Sequence, residues 1–244
     1  MTEYTKPLVW KWEDENDNRS GNRPTAGSRF EQDLPKGEKP FQVYSLGTPN
    51  GIKVAIMLEE LKELGISEAD YDLFLINIGQ GDQFGSDFVA INPNSKIPAM
   101  VDYSEQEPIS VFESANILLY LAEKFEAFLP KSWAERTEVL NWLFWQTGAA
   151  PFVGGGFGHF FHYAPTAQEY PINRYTYVAG NTYTIADIAI WSWYGRLVQG
   201  ELYPGSAEFL DVDSYKHLKS WVEKIAQRPA VQRGLTVKYH SIDN

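Results

Sequence analysis

The chain contains no cysteine. Disulfides, Cys-ligated zinc and a protein thiol nucleophile are excluded together, so any thiol chemistry must use a thiol brought by a ligand. Positive charge is scarce as well: 21 Lys and Arg stand against 32 Asp and Glu, a net charge of −11. Nucleic-acid phosphates demand a basic face, so nucleic acid is not an expected partner. Long hydrophobic runs are also missing. The longest, such as Trp142 to Trp145, fall far below the ~20 residues of a membrane span. No apolar segment follows Lys6-Pro7, so neither an anchor nor a secretory signal is expected, and the cytoplasm is the default location. The glycine-rich run from Gly154 to Tyr163 lacks the Gly-Lys-Ser/Thr ending of a phosphate-binding loop. Internal repeats and low-complexity segments are absent.

What is present suffices for a packed core. The 244 residues are 43% hydrophobic and 15% aromatic, enough for one large domain or two small ones. Residues 1–37 are polar but carry Trp10 and Trp12, which favours an arm that packs on something over a solvated tail. From Phe41 a strand reading FQVYSL meets Gly47-Thr48-Pro49-Asn50-Gly51. Val54, Met57, Leu58 and Leu61 then describe a helix ending at Gly65. A second strand, Tyr71 to Ile78, completes a βαβ unit, and a hairpin from Ala99 to Phe112 plus a helix from Ser114 completes a βαβ-ββα order, the thioredoxin-like arrangement. That order puts the turn after strand one, the Pro98 loop and the Ser114 helix start along one edge of the sheet, at strand ends where ligands bind.

The stretch from Asn92 to Phe125 is the most informative. Pro98 supplies no N–H at the start of its strand and keeps Ile97 extended, with backbone groups available to a ligand strand. Glu113-Ser114 opens a helix whose Ile117, Leu118, Leu121, Ala122 and Phe125 follow helical spacing. A Ser at that end suits a carboxylate lying over the free N–H groups, and Glu113 suits an ammonium, so an amino-acid headgroup fits both. Candidate cations for an anionic ligand are Arg23, Lys53, Lys96 and Arg174. Thr48 before Pro49 reads as an N-cap followed by a first-turn proline, a role compatible with donating to a ligand.

Beyond Phe128-Leu129-Pro130-Lys131 strand patterns vanish. A helix from Ala134 to about Gln146, carrying Trp142, Phe144 and Trp145, is apolar nearly all round in its second half and is expected to be buried or to face another domain. Thr184-Ile185-Ala186-Asp187 is a capping-box start for a central helix through Trp193, and a last helix runs from about Ser214 to Gln227 and stops at Pro229. His159 and His162 share a helix face without a third ligand, so packing or solvent contact is the better reading and no metal is expected. The expected layout is an arm at 1–37, an α/β domain at 38–127, a linker at 128–133, an all-α domain at 134–236 and a tail at 237–244.

The segments SLGTPNGIKV, GDQF, NPNSKIPA, VFES, ILLYLAEKF, NWLFW, GGGFGHFFHYAP and INRY together resemble the nu-class bacterial glutathione transferases, the YghU-like group with disulfide-reductase activity. The likeness runs from about Lys6 to Gly234. It implies a thioredoxin-like α/β N-terminal domain joined to an all-α C-terminal domain, the glutathione transferase fold, and a homodimer. It also implies that Thr48 and Asn50 form the sulfur site. Gln83, Lys96, Ile97, Glu113 and Ser114 would hold the glutathione backbone and γ-glutamyl end, with Pro98 the cis-proline. Asn22, Arg23 and Arg174 would close over the site, where one or two glutathiones bind as co-substrate. The activity so implied is glutathione-dependent reduction of small disulfides. The alternatives are conjugation of glutathione to electrophiles or, from another class, a non-catalytic binding or regulatory protein. One departure stands out: the family carries a long helix after INRY, yet here Arg174-Tyr175-Thr176 runs directly into Tyr177-Val178-Ala179-Gly180. Either a core helix is lost or the chain is joined across a missing stretch.

Overall fold

The computed structural model describes residues 27–150 and 182–242. The tryptophans of the arm, the glycine-rich run with its two histidines, and the segment around Arg174 lie outside the described residues. In the N-terminal half, β1 (Phe41–Ser45), α1 (Pro49–Glu63), β2 (Tyr71–Leu75), α2 (Ser86–Ile91), β3 (Ala99–Asp102), β4 (Ile109–Phe112) and α3 (Ser114–Lys124) follow in order. The strands form one sheet in the order β2-β1-β3-β4. β1 runs parallel to β2 and antiparallel to β3, and β3 pairs antiparallel with β4.

Strand alternation sends successive side chains to opposite faces, and both faces of this sheet are covered. Phe41, Val43 and Met100 join a core with Leu58 and Leu61 of α1 and Leu118 and Leu121 of α3. Tyr44, Phe74, Ala99 and Val101 pack on the other side against Phe88 of α2. Burying side chains of this size contributes about 1.5–3 kcal/mol each. The sequence predicts β2 as far as Ile78, but strand pairing ends at Leu75, where Asn77 and Asp82 close a turn through the Asn77 N–H and Asp82 Oδ2, 2.7 Å apart. The helix α2, which the hydrophobic pattern does not mark, is only six residues long. The described end of the arm lies along it, with the Gln32 N–H on Ser86 Oγ at 2.9 Å and the Leu34 N–H on Asp87 Oδ2 at 2.9 Å.

The helical half comprises α4 (Trp133–Ala150), α5 (Ile185–Ile190), a π-helical turn Trp191–Gly195 that continues into α6 (Arg196–Val198), then α7 (Ser206–Phe209), α8 (Lys216–Ala226) and α9 (Pro229–Thr236). Thr184 and Asp187 form the predicted capping box: Asp187 Oδ2 accepts from the Thr184 N–H at 2.9 Å, and its Oδ1 takes the indole N–H of Trp221 at 3.0 Å. The helix expected from about Ser214 to Gln227 is α8 and ends before Pro229 as the spacing predicts, but it is not the last: Pro229 begins α9, because a proline in the first turn gives up an N–H that has no helical partner anyway. Arg228, just before it, grips buried Glu60 of α1 with two hydrogen bonds of 2.6 and 2.7 Å. α9 lies so close on α1 that a Cβ on Gly234 would come within 2.8 Å of Ile56 Cα. Past α9 the chain does not trail away: the Leu75 N–H bonds the His240 carbonyl, and the His240 N–H bonds the Leu73 carbonyl, both at 2.8 Å, covering the edge of β2. Trp133 and Phe144 of α4 are exposed. Among the described residues no helix is long and apolar enough to cross a membrane.

Candidate active site

The register alone gathers the site. Ser45 at the end of β1 sits beside Leu75, and Tyr44 sits opposite Ala99, which in turn pairs with Phe112. The segments leaving or entering these positions are Leu46–Thr48, Ile76–Ile78, Ile97–Pro98 and Glu113–Ser114, so all of them reach the same end of the sheet. A cavity of about 480 Å³ opens there, its wall including Thr48, Asn50, Lys96, Ile97, Trp193 and Tyr203. Of the residues anticipated from sequence, Thr48, Asn50, Lys96 and Ile97 line it directly. Pro98 follows a cis Ile97–Pro98 bond and is buried behind the wall. Gln83 is buried in the short turn Asp82–Phe84. Glu113 and Ser114 stand at the start of α3, off this wall, and Asn22, Arg23 and Arg174 lie outside the described residues. A smaller cavity, of about 260 Å³, is lined by Gly47, Arg196, Glu201 and Tyr239 and holds none of the anticipated residues.

Thr48 caps α1. Its Oγ1 accepts from the Gly51 N–H at 3.5 Å, a long bond that uses only a lone pair and leaves the hydroxyl hydrogen to donate. Gly51 is required at this turn, since a Cβ there would meet the Leu46 carbonyl oxygen at 2.0 Å. The first N–H groups of a 15-residue helix therefore sit at the cavity wall, where the helix dipole favours an anion. Across the sheet end, the Asn92 side-chain amide donates to the Lys96 carbonyl at 2.6 Å, holding the loop that presents Lys96 and Ile97. Burial lowers the pKa of Lys96. Glu113 adopts φ 69° and ψ 117°. For a residue with a Cβ this backbone costs on the order of 1–3 kcal/mol, a strain of the kind that collects at ligand sites.

Lys53, a candidate anion-binding cation by sequence, does something else. It is 1% exposed and points inward from the second turn of α1. Its ammonium donates to Asn50 Oδ1 at 2.9 Å, to Ser114 Oγ at 3.2 Å and to Gln146 Oε1 of α4 at 2.8 Å. The three hydrogens of an ammonium are thus matched by three acceptors from three helices. Burial lowers its pKa to about 7, with Glu113 pulling in the opposite direction. Asn50 is bound from the other side as well, by the indole N–H of Trp193 at 2.9 Å. Trp193 belongs to the π turn, where Gly195 makes room for the buried ring of Trp191: a Cβ on Gly195 would lie 2.5 Å from Trp191 Cδ1. Gln146 and Trp193 were missed as site residues by sequence reasoning. Both sit in patterns that look like ordinary helix, and only Gly195 hints at the irregular turn.

This geometry has counterparts. Residues 49–124 match the model of the glutathione S-transferase N-terminal domain, and residues 164–229 match that of the C-terminal domain. The chain is 54% identical to the disulfide-bond oxidoreductase YghU of Escherichia coli over 258 residues, covering 96% of this chain and 88% of that one. Those 258 aligned residues outnumber the 244 of this chain, so YghU carries residues with no counterpart here. Among solved structures it is similar to the glutathione transferase YghU of Streptococcus pneumoniae in complex with glutathione, with 62% identity, a TM-score of 0.89 and coverage of 99% of this chain and all of that one. A glutathione transferase family member from Pseudomonas fluorescens with two glutathiones bound is 32% identical, with a TM-score of 0.70, over 82% of this chain and 94% of that one. The chain belongs to the glutathione S-transferase family.

The buried lysine gives stability a defined pH dependence. Its side chain keeps a proton to about 10.5 when unfolded but only to about 7 when folded. Between those values the unfolded state binds more protons, so this residue makes stability rise with pH. Denaturant midpoints of the wild type relative to Lys53→Met should therefore increase from pH 7 to pH 10. A difference that stays flat, or falls, across that window would contradict the assignment.

Proposed function

We propose that this protein is a glutathione-dependent thiol–disulfide oxidoreductase that reduces small disulfides with glutathione held at Thr48 and Asn50. The observation that carries the reading is the pair of donors at the α1 N-terminus, on the wall of a cavity, in a chain with no cysteine of its own. Hydroxyl, amide and helix N–H groups lower a thiol pKa from about 8.5, each unit corresponding to about 1.4 kcal/mol of differential stabilisation. The thiolate so formed attacks one sulfur of the disulfide, making a mixed disulfide with glutathione and releasing one thiolate. A second glutathione thiolate attacks the glutathione sulfur of that intermediate, giving glutathione disulfide and the second thiolate. Two glutathiones are consumed, two substrate thiols form, and every exchanging sulfur belongs to a ligand.

The remaining residues position the peptide. Ile97, presented by the cis bond to Pro98, pairs with the ligand backbone, while Gln83, Glu113 and Ser114 take the γ-glutamyl end and Lys96 neutralises a carboxylate. Asn22, Arg23 and Arg174 are assigned to the ligand as well, the two arginines supplying positive charge for a second anionic tripeptide. The relatives support this reading: one is named a disulfide-bond oxidoreductase, and another holds two glutathiones. The exposed Trp133 and Phe144 on α4 support a homodimer built across that helix.

Hydrogen bonds to charged groups contribute about 1.5–3 kcal/mol, so single losses of roughly ten- to a hundredfold are expected. Ser114→Ala and Glu113→Ala should mainly weaken glutathione binding, whereas Thr48→Ala should mainly lower kcat. If Thr48→Ala changes affinity alone, it has no part in the chemical step. Calorimetry should show two glutathiones per subunit; a single one, with aromatic halides conjugated readily and disulfides left at the uncatalysed rate, would favour conjugation. Sedimentation at micromolar concentration should show a dimer, and a monomer would remove that part of the proposal.

A further inference from the structure

The side-chain amide of Asn50 is fixed in one sense by its two inner partners. An indole N–H is a donor only, and a lysine ammonium likewise while it keeps its proton. Lys53 Nζ lies 2.9 Å and Trp193 Nε1 2.9 Å from the same atom of Asn50, which must therefore be its carbonyl oxygen. The opposite orientation would set the two amide hydrogens against an ammonium and an indole N–H in a largely buried corner, leaving donors without acceptors. Both lone pairs of Oδ1 are thereby used, and Nδ2 is left with two hydrogens. Asn50 is half-buried, it lines the cavity, and its Nδ2 makes no hydrogen bond among the described residues. We propose that Lys53 and Trp193 are positioning residues that saturate the Asn50 carbonyl oxygen and so turn its N–H donors toward the substrate sulfur.

The two residues reach Asn50 from different parts of the fold. Lys53 is one helical turn along α1 and anchored from below by Gln146 of α4, while Trp193 descends from the π turn of the helical half. The donor that faces sulfur is thus set by both halves of the molecule. A serine or cysteine at the same place would need no such support, since a hydroxyl or thiol rotates to suit its partner. An amide has a wrong face, and the wrong face here would present a carbonyl oxygen to a thiolate.

The inference rests on the sulfur-site reading of Asn50 given above, and the experiment separates the two. In Trp193→Phe the ring stays and only the N–H is lost. kcat for glutathione-dependent reduction of a small disulfide should fall about three- to tenfold, with KM for glutathione changed less than about twofold. In an Asn50→Ala background the same substitution should cost nothing further, and Lys53→Met should be non-additive with Asn50→Ala in the same way. Asn50→Asp keeps an oxygen for the two inner donors but replaces the outward donor with an acceptor, so kcat should fall at least about tenfold. Equal losses for Trp193→Phe with and without Asn50 would show that Trp193 acts on the substrate directly and would overturn the proposal, as would full activity in Asn50→Asp. Wild-type kcat in Asn50→Ala alone would overturn the sulfur-site reading as well.

Discussion

The site is organised around one cation taken out of water. Lys53 is held by Asn50, Ser114 and Gln146, so a single ammonium ties the turn beneath the sulfur position to the start of α3 and the C-terminal part of α4. Burying an ion costs several kcal/mol even after the protein relaxes. Three hydrogen bonds from the charged donor, worth about 1.5–3 kcal/mol each, return part of that cost. The pKa lowered to about 7 shows that burial still outweighs them, so the charged form is less favoured here than in water. What the lysine contributes is therefore arrangement more than stability, since two of its three acceptors stand at positions assigned to the sulfur and to the γ-glutamyl end of the same tripeptide.

The fold supplies the rest of the arrangement through the register of its sheet. Thr48, Ile97 and Glu113 are far apart in sequence but leave β1, enter β3 and leave β4 at one end, where antiparallel pairing makes neighbours of strand starts and strand ends. The helical half then closes against α1. Bidentate pairing of Arg228 with Glu60 and the close approach of Gly234 to Ile56 fix α9 on one part of α1, while the π turn delivers Trp193 to its N-terminus. π turns arise where a helix must place a side chain that regular spacing would misdirect, and they recur at functional sites.

Much of this was legible in the sequence because it depends on local punctuation. Thr48-Pro49 announces α1, Thr184 to Asp187 announces α5, and Pro98 and Ser114 mark a loop and a helix start at the same end of the sheet. The strand alternation of Phe41, Val43 and Tyr44 suffices to give the sheet two covered faces. Other features depend on tertiary contact and leave little local trace. α2 is too short for a periodic pattern, and the pairing of His240 with β2 follows from an edge that needed covering. Pro229 reads equally well as a stop or as a first turn, and only the docking of α9 on α1 decides it. Lys53 was visible as a cation near a helix start, but its inward direction is set by Gln146, more than 90 residues away.

The central claim is that Thr48 and Asn50, at the N-terminus of α1, stabilise the thiolate of a bound glutathione. Because the chain has no cysteine, the far-ultraviolet thiolate absorbance of the complex reports the ligand's sulfur without interference from a protein thiol. A pH titration of that absorbance at saturating glutathione tests the claim most directly. The account predicts a thiol pKa at least about one unit below the ordinary value near 8.5, restored toward that value in Thr48→Ala and Asn50→Ala. A bound thiol that titrates like free glutathione in the wild-type protein would contradict it.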